Sequence, residues 1–248
     1  GTLTVAFNAM AESLSQNETR RRDFVANVSH ELRTPMTTIA GFADGLLDGT
    51  IPPEDEEKYL RIVSEETKRL SSLVVAMLNI SKIEAGKLEL SLTRVDLQHL
   101  IFSILLGFEQ SVEQKKVKIL GMDTLAAVKV TADETLLHQV IFNLVDNAVK
   151  FTPEGGEITL SLSREGSMAV FGIRNTGRGI PEADRELIFD RFYKVDKSRG
   201  LDAKSFGIGL YIVKSIIDLH HGTINVGSDG ETYTAFTVSL PLDGTAAE

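Results

Sequence analysis

Apolar positions in the first third of the chain recur at steps of four and three, which is the spacing of an amphipathic helix. Two such runs are present: Phe24, Val28, Leu32, Pro35, Ile39, Phe42 and Leu46, then Leu60, Val63, Leu70, Leu73, Met77 and Ile80. The pattern predicts a long helix from near Val5 to Leu47 and a second helix from Glu54, with acids in its first turn. The segment 48–53 is typical of a turn, and Ala85-Gly86 lies near the end of the second helix.

Two helices alone cannot bury both apolar stripes. A homodimer, in which two helical hairpins form a four-helix bundle, is the natural solution. The alternative is that both stripes pack against the second half of the same chain.

The second half, from about Leu88, changes to alternating helical and strand patterns. Helices are predicted at 96–113, 133–151 (capped by Asp133) and 206–221. Strands are predicted at 117–120, 127–131, 157–163, 169–175, 223–227 and 235–240, with a hairpin turn at 164–167. The pattern indicates a mixed sheet with helices on one face, an α/β sandwich, so the fold class is a helical hairpin followed by an α+β domain.

Composition narrows the class of protein. The 248 residues are enough for one large domain or two small ones, and the hydrophobic content of 42% is ordinary for a globular protein. The net charge of −9 argues against nucleic-acid binding, for which a basic patch is expected. Without cysteine there are no disulfides or thiolate metal sites, and no apolar run is long enough to span a bilayer.

The candidate chemistry of the first helix lies in residues 27–36. His30 follows Val28 by about 200° around the helix, so it points away from the apolar stripe. Glu31 is adjacent and Thr34 shares the histidine's face, while Pro35 cannot donate a backbone hydrogen bond to Glu31. A neutral imidazole is a good nucleophile near neutral pH, and an adjacent carboxylate can orient it or take its proton. The pattern predicts a nucleophile held on a helix.

The segment Ser29–Pro35 resembles the phospho-acceptor box of bacterial sensor histidine kinases. The resemblance implies that His30 is phosphorylated from ATP and that the phosphoryl group passes to an aspartate of a response regulator. It also favours the homodimer. Thr34 resembles the position that orients water for dephosphorylating the regulator, and local support of the helix before Pro35 is an equal alternative.

An ATP site is predicted from Asn143, Asn147 and Lys150, which share one helix face and precede Phe151. Two amides and an ammonium suit a hydrated Mg²⁺ with phosphates, and the phenyl ring can pack on adenine. The run 143–152 resembles the N box of the family, with Asn147 at the position of the Mg²⁺ ligand.

The run 175–181 follows a predicted strand and resembles the G1 box, which forms the floor of the adenine pocket. Its candidate residues are Asn175, Gly177, Gly179 and Ile180. The family usually has aspartate where this chain has Asn175, which is neutral but still accepts hydrogen bonds. Losing a charge-assisted bond is expected to weaken nucleotide binding by about 1 kcal/mol.

The segment 189–199 resembles the F box and the start of the ATP lid, with Arg191 and Lys194 able to reach a triphosphate. The polar segment 200–204 continues the lid. Residues 205–210 resemble the G2 box, in which Gly207, Gly209 and Leu210 open a helix whose backbone donors can meet phosphate. Ser205 and Phe206 replace the usual glycine and threonine, and Glu231 and Tyr233 stand near expected later glycines.

The motifs follow the order of the family over essentially the whole chain. They predict a membrane-proximal linker helix at 1–19, a phospho-acceptor hairpin at 20–87 and an ATP-binding domain of histidine-kinase/Hsp90-like fold at 88–248. Residues 6–14 resemble the end of a linker, which indicates the cytoplasmic portion of a membrane-anchored parent; a complete soluble kinase is the alternative. Two rival functions are a degenerate, nucleotide-gated dimeric scaffold and a different ATPase, such as a chaperone or topoisomerase subunit.

Overall fold

A computed structural model describes residues 2–86, 88–195 and 207–243. The chain divides into two compact units, Gly1–Ser81 and Lys82–Glu248. Among the described helices, none is long and apolar enough to cross a membrane.

The first unit is a helical hairpin. Helix α1 spans Thr2–Leu47 and continues through Pro35, and α2 spans Glu56–Glu84 after a short 3₁₀ turn at Pro53–Asp55. The predicted stripe of α1 is buried at Pro35 and half-buried at its other positions, so it packs inward as expected. On α2, Leu73 and Ile80 are buried, whereas Leu60 is 55% exposed and does not belong to the inner stripe. The rings of Phe42 and Tyr59 meet across the hairpin with centroids 4.9 Å apart.

The second unit contains the predicted helices and strands and one further strand. Its helices are α3 (Leu97–Gly107), α4 (Glu109–Gln114), α5 (Glu134–Phe151) and α6 (Gly209–Leu219). Its strands are β1 (Leu92–Asp96), β2 (Lys118–Leu120), β3 (Lys129–Asp133), β4 (Glu157–Glu165), β5 (Met168–Thr176), β6 (Thr223–Ser228) and β7 (Tyr233–Pro241).

Five strands form a mixed sheet in the order β2-β4-β5-β7-β6, in which β2 runs parallel to β4 and every other pair is antiparallel. Strands β1 and β3 form a separate antiparallel pair. Helix α5 lies between α3 and α6 and packs on β5. The predicted fold class, a helical hairpin followed by an α/β sandwich with a mixed sheet, is confirmed.

Two predicted boundaries were wrong. The single helix predicted at 96–113 is broken at Phe108, whose φ of −101° and ψ of 0° leave the helical region after Gly107, a weak helix former. The last helix begins at Gly209 rather than at 206, because Gly207 has a φ of +67°, which no helix accommodates. Strand β1 was not predicted, since most of its side chains are exposed and its apolar alternation is short.

Helix α5 is fixed at its beginning in a way that the sequence predicted. The carboxylate of Asp133 accepts a hydrogen bond from the backbone N–H of Leu136 at 3.1 Å, so Asp133 caps the helix. The buried ring of His220 also fixes this end, because its Nε2 accepts from the Asp133 N–H at 3.0 Å and its Nδ1 lies 2.8 Å from the carbonyl oxygen of Ile216. The end of α6 is thereby tied to the start of α5.

Candidate functional site

His30 is exposed on α1, and the adjacent Glu31 is half-buried. The imidazole is therefore accessible to an incoming electrophile, as the helical spacing predicted. Pro35 is buried and faces the hairpin interior, so the histidine and the proline lie on opposite sides of the helix. This arrangement presents a nucleophile on the exposed side of a helix whose other side faces the hairpin interior.

Thr34 lies one turn after His30 and is exposed. Its hydroxyl donates to the carbonyl oxygen of His30 at 3.4 Å, which is a long bond. Thr38 makes the same type of contact to the Thr34 carbonyl at 3.2 Å. This long contact is of the kind expected for local helix support, and both roles of Thr34 stay predictions.

In the second unit, Asn143, Asn147 and Lys150 are all half-buried and follow one another by single turns of α5. The Lys150 ammonium lies 4.6 Å from the centroid of the Phe151 ring, so charge and ring meet at the end of the helix. The structure thus brings these four predicted residues together along one face.

The start of α6 lies against this face. A Cβ placed on Gly209 would lie 3.6 Å from Oδ1 of Asn143. The Asn143 Nδ2 atom is buried and has no hydrogen-bond partner among the described residues. A buried amide donor without a partner costs free energy, and beside a helix N-terminus with no side-chain cap it is suited to a bound anion.

Asn175 lies near the end of β5 and is 4% exposed. Alternate residues of this strand are buried, so Asn175 shares the covered face of the sheet with Phe171 and Ile173. Its Nδ2 donates to the carbonyl oxygen of Thr176 at 3.1 Å. That bond orients the amide, and its Oδ1 atom is turned away from the Thr176 carbonyl.

The loop after β5 passes very close to two other segments. A Cβ on Gly177 would lie 2.5 Å from the carbonyl oxygen of Phe151, and one on Gly179 would lie 2.4 Å from the backbone N of Glu231. The backbone N–H of Ile180 donates to the Ser228 hydroxyl at 2.8 Å. The two glycines are therefore required by close approach, the first to the end of α5 and the second to the β6–β7 turn.

A backbone hydrogen bond joins the described segments that lie before and after the predicted lid. The backbone N–H of Phe192 donates to the carbonyl oxygen of Gly207 at 2.8 Å. The Arg191 guanidinium donates to the Tyr211 hydroxyl at 2.7 Å and lies 4.6 Å from the centroid of that ring. Lys194 and Leu210 are half-buried. The lid segment 200–204, Ser205 and Phe206 lie outside the described residues.

Three ionisable side chains near these elements have shifted pKa values. Burial of the Asp146 carboxyl raises its pKa, although part of the side chain is open to solvent, and the charge of Lys150 opposes this shift. A hydrogen bond to Asp184 raises the pKa of the Tyr193 hydroxyl. Hydrogen bonds from the side chain and backbone of Thr232 lower the pKa of Asp229, which closes the β6–β7 turn.

Sequence analysis did not identify three residues that shape the site. Tyr211 holds Arg191, and Ser228 joins the loop after β5 to the β6–β7 turn through bonds to Ile180 and the Tyr233 carbonyl. Lys115 contacts the end of α5. The only sequence signal for Ser228 was that it is a polar residue at a predicted strand end. The only signal for Tyr211 was its place in the first turn of a helix that follows glycines. Nothing in the spacing pointed to Lys115, since its partners are backbone atoms far along the chain.

Family models match both units of the chain. Residues 20–86 match the His Kinase A (phospho-acceptor) domain, and residues 132–244 match the histidine kinase-, DNA gyrase B- and HSP90-like ATPase. The sensor histidine kinase YclK of Bacillus subtilis is 37% identical over 98% of this chain and 52% of its own length. The heme sensor protein HssS of Staphylococcus aureus is 37% identical over 97% of the chain and 51% of its own length. The chain thus spans about half the length of these relatives.

Solved structures agree with the family models. The histidine kinase AdeS of Acinetobacter baumannii is 26% identical, with a TM-score of 0.70 over 86% of this chain and 98% of its own. The histidine kinase ThkA in complex with response regulator protein TrrA is 27% identical, with a TM-score of 0.68 over 90% of this chain and 62% of its own. Full-length ShkA in complex with AMPPNP is 27% identical, with a TM-score of 0.65 over 90% of this chain and 46% of its own. The chain belongs to the sensor histidine kinase family and carries its phospho-acceptor domain followed by its ATP-binding domain.

Proposed function

We propose that this chain transfers the γ-phosphoryl group of ATP to His30 and then to an aspartate of a response regulator. The observation that carries the proposal is the exposed His30 beside Glu31 on α1, in a chain that also contains the nucleotide face of α5. We give this name to the face formed by Asn143, Asn147, Lys150 and Phe151. The match of residues 20–86 to a phospho-acceptor domain supports it.

The transfer is an in-line displacement at the γ-phosphorus. A ring nitrogen of neutral His30 forms the new P–N bond, the bond from the γ-phosphorus to the bridging oxygen breaks, and ADP leaves with the electron pair. The proton on the other ring nitrogen goes to Glu31 as base, or is held by it in an orienting hydrogen bond. The labile P–N bond then breaks as the phosphoryl group passes to a carboxylate of the regulator, and Thr34 is proposed to orient water for the separate hydrolysis that dephosphorylates the regulator.

The nucleotide is proposed to lie across α5, the loop after β5 and the start of α6. Phe151 packs on the adenine, Lys150 offsets phosphate charge, and the Asn143 amide and the N–H groups at Gly207, Gly209 and Leu210 donate to phosphate oxygens. Arg191 and Lys194 are proposed to reach the triphosphate from the lid side, which requires Arg191 to leave Tyr211.

Mg²⁺ fits the donors present. Asn147 is half-buried one turn from Asn143, and its amide oxygen would hold the ion together with waters and phosphate oxygens. When bound, the ion would neutralise charge on the β- and γ-phosphate oxygens.

Asn175 is proposed to recognise the adenine amino group in place of the usual aspartate. One N–H of its Nδ2 is bonded to the Thr176 carbonyl, which fixes the amide, and its Oδ1 is proposed as the acceptor that meets the base. An acceptor suits the exocyclic amine of adenine and disfavours the carbonyl of guanine. A neutral acceptor is weaker than a carboxylate, so we expect Asn175→Asp to tighten ATP binding by up to about tenfold.

The same proposal includes partners and boundaries. Both helices of the first unit expose apolar side chains, among them Val25, Met36 and Leu47 on α1, and these support a homodimer. The ThkA–TrrA complex supports a response-regulator receiver domain as the phosphoryl acceptor. The boundaries 1–19, 20–87 and 88–248, and a place on the cytoplasmic side of a membrane-anchored parent, stay predictions.

Incubation with γ-labelled ATP and Mg²⁺ tests the proposal. Acid-labile label on the chain, absent in His30→Gln, is the expected result, and nucleotide binding should survive the substitution. Nucleotide binding without label in either the chain or Asn175→Asp would instead favour the dimeric scaffold. Sustained ATP hydrolysis that is unchanged in His30→Gln would favour a different ATPase.

A further inference from the structure

The side chain of Lys115 ends on the last turn of α5. Its ammonium donates to the carbonyl oxygens of Val149 at 2.8 Å, Lys150 at 2.9 Å and Thr152 at 3.0 Å. Lys115 itself is half-buried at the end of α4. The last carbonyls of a helix have no partners within the helix, and a cation there is also favoured by the helix dipole. Lys115 therefore caps α5 from another part of the chain.

Two other carbonyls of this turn have neighbours: one accepts hydrogen bonds, and the other is closely approached by the loop after β5. The carbonyl oxygen of Ala148 accepts from both the backbone N–H and the hydroxyl of Thr152, at 3.0 and 2.5 Å. The carbonyl oxygen of Phe151 lies where Gly177 passes closest to the helix. Lys115 thus adds three bonds to a turn whose side chains Lys150 and Phe151 form part of the proposed nucleotide face.

The backbone of Lys115 extends this attachment to the loop after α5. Its carbonyl oxygen accepts from the N–H of Gly155 at 2.9 Å, and the N–H of Lys118 donates to the carbonyl oxygen of Gly156 at 2.9 Å. One short segment before and within β2 therefore holds both the end of α5 and the loop that follows it.

We infer that Lys115 is a positioning residue for the nucleotide: through its three bonds to the end of α5 it sets where Lys150 and Phe151 meet ATP. This inference rests on the proposed nucleotide site. Lysine suits the role because its ammonium is a compact donor of three hydrogen bonds, whereas the planar guanidinium of arginine cannot direct three N–H groups at carbonyls that converge on one point.

Lys115→Met tests the inference, since it keeps the aliphatic chain and removes the charge and the three bonds. Lys116→Met is the matched control, because it makes the same change in the adjacent residue and removes only an ion pair of 2.7 Å with Glu154. The side chains of Lys116 and Glu154 are 75% and 67% exposed, so this ion pair contributes little to stability. The readouts are the KM for ATP and the rate of His30 labelling at saturating ATP, with circular dichroism to verify folding.

We expect KM to rise about tenfold in Lys115→Met, with the saturated rate within about twofold of the parent, because the nucleotide is held less well but meets the same histidine. Lys116→Met should change neither. An unchanged KM in folded Lys115→Met, or an equal change in Lys116→Met, would overturn the inference. If Lys115→Met does not fold, the same measurements are made on Lys115→Arg. A several-fold rise in its KM for ATP is expected, and an unchanged KM would overturn the inference. Failure of the parent chain itself to bind ATP would instead refute the proposed function.

Discussion

Gly177→Ala places a methyl group where the chain leaves β5 and passes the end of α5. The added carbon would lie 2.5 Å from the carbonyl oxygen of Phe151 and 3.1 Å from Cδ of Pro153. The φ of Gly177 is +130°, a conformation that an L side chain rarely adopts. The substitution therefore strains the backbone and pushes the loop away from the helix end that carries the nucleotide face.

The expected magnitude follows from these two effects. A carbon and a carbonyl oxygen in contact lie about 3.3–3.6 Å apart, so the loop must move by about 1 Å. Backbone strain of this kind costs about 1–3 kcal/mol, and inserting a methyl group into a packed region costs about 1–3 kcal/mol more. Gly177→Ala should lower the free energy of unfolding by about 2–6 kcal/mol.

Urea unfolding followed by circular dichroism measures this loss, and calorimetric titration with ATP measures its effect on the nucleotide site. Gly166→Ala is the matched control, because Gly166 has a φ of +61° in the β4–β5 hairpin and no described atom lies within 4 Å of the added carbon. In Gly166→Ala the free energy of unfolding should fall only by the contribution of backbone strain, about 1–2 kcal/mol, and the affinity for ATP should not change. Equal losses in the two variants, within about 0.5 kcal/mol, would refute the packing argument.

Three further outcomes are expected. Val74 and Leu78 are 44% and 57% exposed on α2, and we expect glutamate at either position to convert a dimer into a monomer in light scattering, because a charge would have to be buried. His220→Leu removes the acceptor of the Asp133 N–H and should lower the free energy of unfolding by about 1–3 kcal/mol in urea titration. The lowered pKa of Asp229 means that its carboxylate stabilises the fold above the ordinary pKa of 3.8 and that this contribution is lost as the pH falls through the lower, folded value. The difference in urea midpoint between the parent and Asp229→Asn should therefore be constant near neutral pH and shrink in acid.

Each of these outcomes has a control. Ser72→Glu adds the same charge at an exposed polar position of α2 that lies about 200° around the helix from Val74, and it should leave the oligomeric state unchanged; loss of the dimer there would make the Val74 result uninformative about an interface. His138→Leu alters an exposed histidine of α5 and should change stability little, so an equal loss would argue against the buried bond of His220. A midpoint difference that persists unchanged into acid would contradict the assignment to Asp229.

Much of the fold was predictable because its periodic elements are long. The apolar repeat of α1 and the alternation of β4 and β5 place their side chains without reference to the rest of the chain. Asp133 was predictable as a cap because capping depends on residues only three positions apart. The break between α3 and α4 at Phe108 and the start of α6 after Gly207 depend on single backbone angles. Such angles produce no repeating pattern in the sequence, so these boundaries were predicted wrongly.

The candidate site divides in the same way. The spacing of Asn143, Asn147 and Lys150 predicted one helix face, and the structure places them on it. The contact between Arg191 and Tyr211 depends on where a distant helix packs, so the sequence indicated only a basic residue near the lid. The contacts of Lys115 could not be predicted from the sequence, because its three partners are backbone carbonyls. Every residue has a backbone carbonyl, so these partners leave no signature in residue type.

The most direct test of the central claim is to locate the phosphoryl group. The chain is phosphorylated with ATP and Mg²⁺, digested at neutral pH and analysed by mass spectrometry. One phosphoryl group on the peptide that contains His30, lost on brief acid treatment and absent when Asn147 is replaced by alanine, is the predicted result. An acid-stable phosphoryl group, or one on a peptide that lacks His30, would contradict the account.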